Sequence, residues 1–126
     1  MSAEAERDPA VAGIAEQIAT ELEQVLQDSY GTGSRHVQVQ ISPDLIVAVM
    51  DVELTRAEET LLENGKGDSI KMLRESYQEA IGPTFTAIVE RASGRRVASF
   101  MSMMSVEPTF AVELFRLEPT QEGASR

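Results

Sequence analysis

Residues 36–52, HVQVQISPDLIVAVMDV, constrain the fold more than any other stretch of the chain. Val37, Val39 and Ile41 alternate with Gln38 and Gln40, the two-residue period of a strand with one wet face. From Leu45 to Val52 the alternation disappears and both faces become apolar, as expected of a strand inside a sheet rather than at its edge. Ser42, Pro43 and Asp44 supply turn chemistry in the short gap between them, so the two strands are expected to pair as an antiparallel hairpin.

The flanking segments keep a helical period. Val11, Ile14, Ile18, Leu22, Val25 and Leu26 fall on one stripe and predict a helix over 9–29, opened by Pro9 and ended at the glycine after Tyr30. Past the hairpin, Thr55 and Glu58 have the spacing of a capping box, in which each side chain satisfies an orphan N–H at a helix start. That short helix should stop at Asn64 or Gly65. Ile70, Leu73, Tyr77, Ala80, Ile81, Phe85, Ile88, Val89 and Ala92 then hold helical spacing across Pro83. Pro83 cannot donate to the carbonyl of Glu79, which predicts either one kinked helix or two abutting at Gly82-Pro83; the unbroken phase favours the kink. Gly94 reads as a left-handed stop, with Arg91, Arg95 and Arg96 placed to complement the helix dipole.

Two further strands, over 96–106 and 109–117, are separated by SVEP. Helix, hairpin, helices, hairpin is the order of a two-layer α+β domain: a four-stranded, largely antiparallel sheet with helices on one face. The expected organisation is a single domain over 9–118 between a flexible N-terminus, 1–8, and a flexible tail, 119–126, too poor in apolar residues to order itself.

Composition narrows the function. A net charge of −10 makes nucleic acid and anionic lipid poor partners. The absence of cysteine leaves no disulfide framework and no thiolate metal site, and MSAEAERDPA lacks the basic flank and apolar run of a signal peptide. Without a run of about 20 apolar residues, direct membrane insertion is not expected, and a cytoplasmic protein fits best.

Three places invite a chemical reading. Met101, Met103 and Met104 could offer thioether sulfur to copper(I), but the single histidine, His36, begins a different strand, and methionine commonly fills adaptable apolar contacts. Alternation puts Met101 and Met103 on one face with Val97, and Phe100 and Met104 on the other with Ala98 and Val106, so both faces are apolar. One of them needs cover from outside, which predicts a homodimer with Met101, Met103 and Phe110 at the interface. The loop ENGKGDS resembles an anion cradle, in which Lys66, Gly67, Lys71 and Arg74 could hold bicarbonate or phosphate at a helix start; the glycine spacing is not that of a phosphate loop, and a helix stop followed by a helix start accounts for the same residues. Asp51, in phase with Leu45, Val47 and Val49, is placed at the strand exit near solvent. No acid pair, metal triad or nucleophile elbow is present, so no enzyme activity, no cofactor and no metal is expected.

LTRAEETLLENGKGDSIKMLRESYQEAIGPTFTAIVERASGRRVASF, followed by FAVELFRL, resembles the MpsC-like family of small bacterial proteins, named after the C component of a membrane-potential-generating system. The likeness covers roughly 11–118 and is most specific in LTRAEETLLENGKG, SGRR and VELFRL. It implies a soluble bacterial protein associated with membrane complexes for inorganic-carbon uptake and membrane potential; together with the absence of a catalytic site and the doubly apolar third strand, it predicts a non-enzymatic accessory or regulatory protein that acts through protein partners and is peripheral to the inner membrane through such a partner. It brings no catalytic residues. SMMSVEPT departs from the family pattern, which often carries acidic residues on that strand, so no carboxylate role transfers there.

Overall fold

A computed structural model describes residues 8–31 and 36–120. The end segments expected to be flexible lie mostly outside the described residues, but Asp8 caps the first helix, where its Oδ1 accepts from the N–H of Ala10 at 2.9 Å. The elements are α1 (Pro9–Tyr30), β1 (Val37–Ser42), β2 (Leu45–Asp51), α2 (Arg56–Glu63), α3 (Gly67–Ser93), β3 (Val97–Ser105) and β4 (Phe110–Leu117). The strands form one antiparallel sheet in the order β1-β2-β4-β3, an α+β fold in which β2 is internal as its doubly apolar sequence requires.

Local chemistry sets the helix ends. Gly31 and Gly94 stop α1 and α3 at φ 64° and 72°, left-handed values that only glycine adopts without strain. Both bonds of the capping box at the start of α2 are present, from Glu58 N–H to Thr55 Oγ1 at 3.2 Å and from Thr55 N–H to Glu58 Oε1 at 2.8 Å. The helix α3 runs unbroken through Pro83. Pro83 and Glu79 are both exposed, so the carbonyl that loses its donor belongs to the wet side of the helix.

Cross-strand pairing sorts the sheet into two faces. Val37, Val39, Ile41, Ile46, Ala48, Met50, Ala111, Phe115 and Leu117 share one face and pack with Ile18, Leu22 and Leu26 of α1 and Phe85, Ile88 and Val89 of α3. The opposite face contributes nothing to this core. On β3 the sequence phase needs correction at one point. A bulge between Val97 and Ser99 inserts Ala98 as an extra, exposed residue, so Val97 packs with the core alongside Phe100 instead of sharing the face of Met101 and Met103. Arg95 also departs from its expected role. Its guanidinium ties the first hairpin turn to the end of β4, donating to Pro43 O at 2.8 Å, Asp44 Oδ1 at 2.7 Å and Glu118 O at 2.8 Å.

Packing between α3 and β3 turns on Gly82. A Cβ there would lie 2.9 Å from the Phe100 ring, itself packed at a tilt against Phe115 with 5.2 Å between ring centroids, whereas a Cβ at Gly13 of α1 would meet nothing within 4 Å. Alanine brings the same gain in helix propensity at either position, so the contact decides the sign. Gly13→Ala is expected to stabilise by about 0.5–1 kcal/mol, and Gly82→Ala to destabilise by roughly 1–3 kcal/mol through overpacking. Urea unfolding of the two variants checks this; equal midpoints would mean that Phe100 yields freely.

Candidate functional site

The outward face of the sheet is built by alternation. Leu45, Val47 and Val49 of β2, Phe110, Val112 and Leu114 of β4, and Met101 and Met103 of β3 point away from both covering helices. Met103 pairs with Val112, Met101 with Leu114, and Phe110 with Ser105, so the three residues expected at an interface do share this face. Met101 and Met103 are 60% and 64% exposed, whereas Met104 points inward and is buried. The three methionines are thereby split between two faces, and His36 lies just before β1, at the far edge of the sheet from β3. Among the described residues, no group of three His, Cys, Asp or Glu side chains could hold a metal ion.

At the loop between α2 and α3, Asn64 and Gly65 close one helix and Lys66 is the N-cap of the next, without a side-chain cap bond. Of the expected anion residues, Gly67 and Lys71 line one hollow, which Lys66 and Arg74 do not line. Lys71 is exposed and stands 3.9 Å from Glu75, and the hollow beside Gly67 is also lined by Asp68 and Glu107, which would repel an anion. Arg74 is removed from any such site. It is 4% exposed, donates to both oxygens of Glu58 at 2.7 and 2.6 Å and to Glu53 O at 3.2 Å, and lies 3.8 Å from the centroid of the Tyr30 ring. The reason lies in helical spacing: four residues after the buried Ile70, Arg74 faces inward, where its charge requires a partner. Burial pushes the Glu58 carboxyl up, but the bonds from Arg74 and Thr55 outweigh it and hold the group below the usual carboxylate range.

A second buried carboxyl belongs to Glu113. Its side chain is wholly enclosed on the core face of β4, opposite Ala48 and Ser102, and neither oxygen has a hydrogen-bond partner. The Ser102 hydroxyl donates to Gln78 Oε1 at 2.8 Å and so gives the acid little support. Burial pushes the Glu113 pKa up to about 8, opposed only in part by Ser102, and the group is neutral near pH 7. Shut away from solvent, it is placed to affect the core rather than a dissolved substrate. Sequence reasoning passed over it, although Glu113 falls in phase with Ala111, Phe115 and Leu117, a polar residue at an apolar position.

The family described as the Na+-translocating membrane potential-generating system (MpsC) matches residues 12–119. The chain belongs to the MpsC family. No curated protein and no solved structure matches it. Within this MpsC chain no helix among the described residues is long and apolar enough to cross a membrane.

The two buried carboxyls respond to pH with opposite signs. Glu58 has a lowered native pKa, so its pairing stabilises the fold above the unfolded-state value and that contribution fades as pH falls through the native one. Glu113 has a raised native pKa, so the folded chain binds the extra proton, and stability drops as pH rises from the ordinary carboxylate range to about 8. Relative to wild type, Glu113→Gln should gain stability progressively across that window, on the order of a few kcal/mol at its upper end; a difference independent of pH in urea melts would contradict the buried acid. Arg74→Ala should cost roughly 3–5 kcal/mol by stranding Glu58, and a loss below about 1 kcal/mol, the size of a surface pair, would show that the clamp is solvated.

Proposed function

We propose that the protein is a non-enzymatic accessory or regulatory component, acting through protein contacts in the setting of a membrane complex for inorganic-carbon uptake or membrane potential. The observation that carries this reading is the apolar sheet face centred on Val47, Val49, Val112 and Leu114, which lies opposite the core and outside the cover of α1 and α3 among the described residues. Monomeric proteins seldom leave such a face in water unless something binds there. The two buried carboxyls among the described residues support the non-enzymatic part: Glu58 is committed to Arg74, and Glu113 lies behind the sheet's covering helices. The description of the MpsC family supports the membrane-potential part of this setting, and attachment at the inner membrane would come through a protein partner. The alternative, a bicarbonate or phosphate sensor at the start of α3, loses Arg74 to Glu58.

Complementation tests this reading. In a host lacking the gene, the wild-type chain should restore the Na+-dependent membrane potential reported by a voltage-sensitive dye. Met103→Glu changes a side chain that is 64% exposed, so stability should stay within about 0.5 kcal/mol while restoration is lost. Full restoration by that folded variant would remove the outer face from the function, and an unchanged potential in the deletion strain would remove the setting.

A further inference from the structure

Building on the reading of the outer face as a contact surface, we propose that its occupant is a second copy of this chain, packed sheet to sheet about a two-fold axis that lies between the sheets and runs across the strands. The distribution of side chains selects this arrangement. Polar Gln38 and Gln40 line the β1 side of the face, Met101 and Met103 the β3 side, and Leu45, Val47, Val49, Val112 and Leu114 fill the middle. A face-to-face pair has two simple choices of axis. One that runs along the strands lays β1 over the partner's β3 and buries glutamine against methionine, whereas one across the strands lays each strand over its own counterpart, glutamines over glutamines and methionines over methionines.

Charge makes the same choice independently. At the paired positions of this face the charged residues are Arg116, opposite Leu45, and Asp51, opposite Phe110. They stand at opposite ends of the β2–β4 ladder, both exposed, and neither has an ion-pair partner among the described residues. The axis across the strands reverses strand direction, so Arg116 of each copy meets Asp51 of the other and the contact forms twice; the axis along the strands would set like charge against like. The charge on the face cancels although the chain carries −10, which keeps the surplus repulsion away from the contact.

The area is also of the right order. Four strands about 4.8 Å apart and about seven residues long project to roughly 400 Å², the scale of an apolar patch that marks a contact site.

Sedimentation equilibrium of the full-length wild type, Arg116→Asp, Asp51→Arg and the double swap tests the arrangement. The wild type should be dimeric at micromolar concentration. Each single swap sets two like-charged contacts in the pair and should weaken it by about tenfold or more, while the double swap, which only exchanges the ends, should recover wild-type affinity within about threefold. A monomeric wild type, single swaps without effect, or a double swap as weak as the singles would each overturn the proposal. The outcomes separate from those of complementation. A monomer whose activity still depends on Met103 leaves the contact reading standing without the dimer, and a charge-dependent dimer whose dissociation leaves the potential intact keeps the dimer and removes the function.

Discussion

Successive side chains on a strand point to opposite faces, and here α1 and α3 pack over only one of them. This one-sidedness governs the rest of the molecule. Everything on the covered face must be apolar, neutral or paired: Phe115 and Ile46 fill the core, Gly82 makes room for Phe100, and Glu113 stays uncharged near neutrality. The other face is under no such demand from the described helices, yet β2, β4 and β3 fill it with branched aliphatics and methionine. Such composition on both faces suits a sheet with cover on both sides.

Around this layer the short α2 is held by charge as well as by packing. Glu58 serves two structures at once, with its Oε1 closing the capping box and both oxygens receiving Arg74 from α3. Arg74 also reaches the backbone of Glu53 and the ring of Tyr30, so one guanidinium joins α1, α2, α3 and the segment leaving β2. A planar group with five donors and an aromatic-compatible face can make this junction, which a lysine could not reproduce. The Tyr30 and Tyr77 rings meet edge to face at 5.2 Å beside it, which extends the join between α1 and α3.

Much of this was legible in the sequence because it depends on neighbours along the chain. The capping box, the three glycine stops, the hairpin at Pro43-Asp44 and the internal position of β2 all rest on spacing or period. The helical phase across Pro83 likewise anticipated a single α3. What was missed depends on residues brought together from afar. The bulge at Ala98 arises from how β3 meets β4, and no local pattern marks it. Arg74 looked like a free cation near a glycine loop because its partner, Glu58, was already assigned to a helix cap. Glu113 went unremarked among the apolar residues around it, although its phase placed it inside. At the outer face, the grouping of Met101 and Met103 followed from alternation, but their apolar neighbours on β2 and β4 required the strand order.

That strand order also bears on how the chain comes together. The last strand in sequence, β4, is an inner strand and pairs on one side with β2, so Leu45 lies opposite Arg116. The first hairpin can zip as soon as residues 37–51 exist, and α2 can dock on α3 through local contacts. Until β4 arrives, however, β2 keeps an open edge and β3 has no neighbour in the sheet. Sheet closure is therefore a late, long-range event that must pay the loop entropy of nearly the whole domain before it gains the Phe115 core. A ribosome delivering this chain releases its keystone strand only after both strands that it joins.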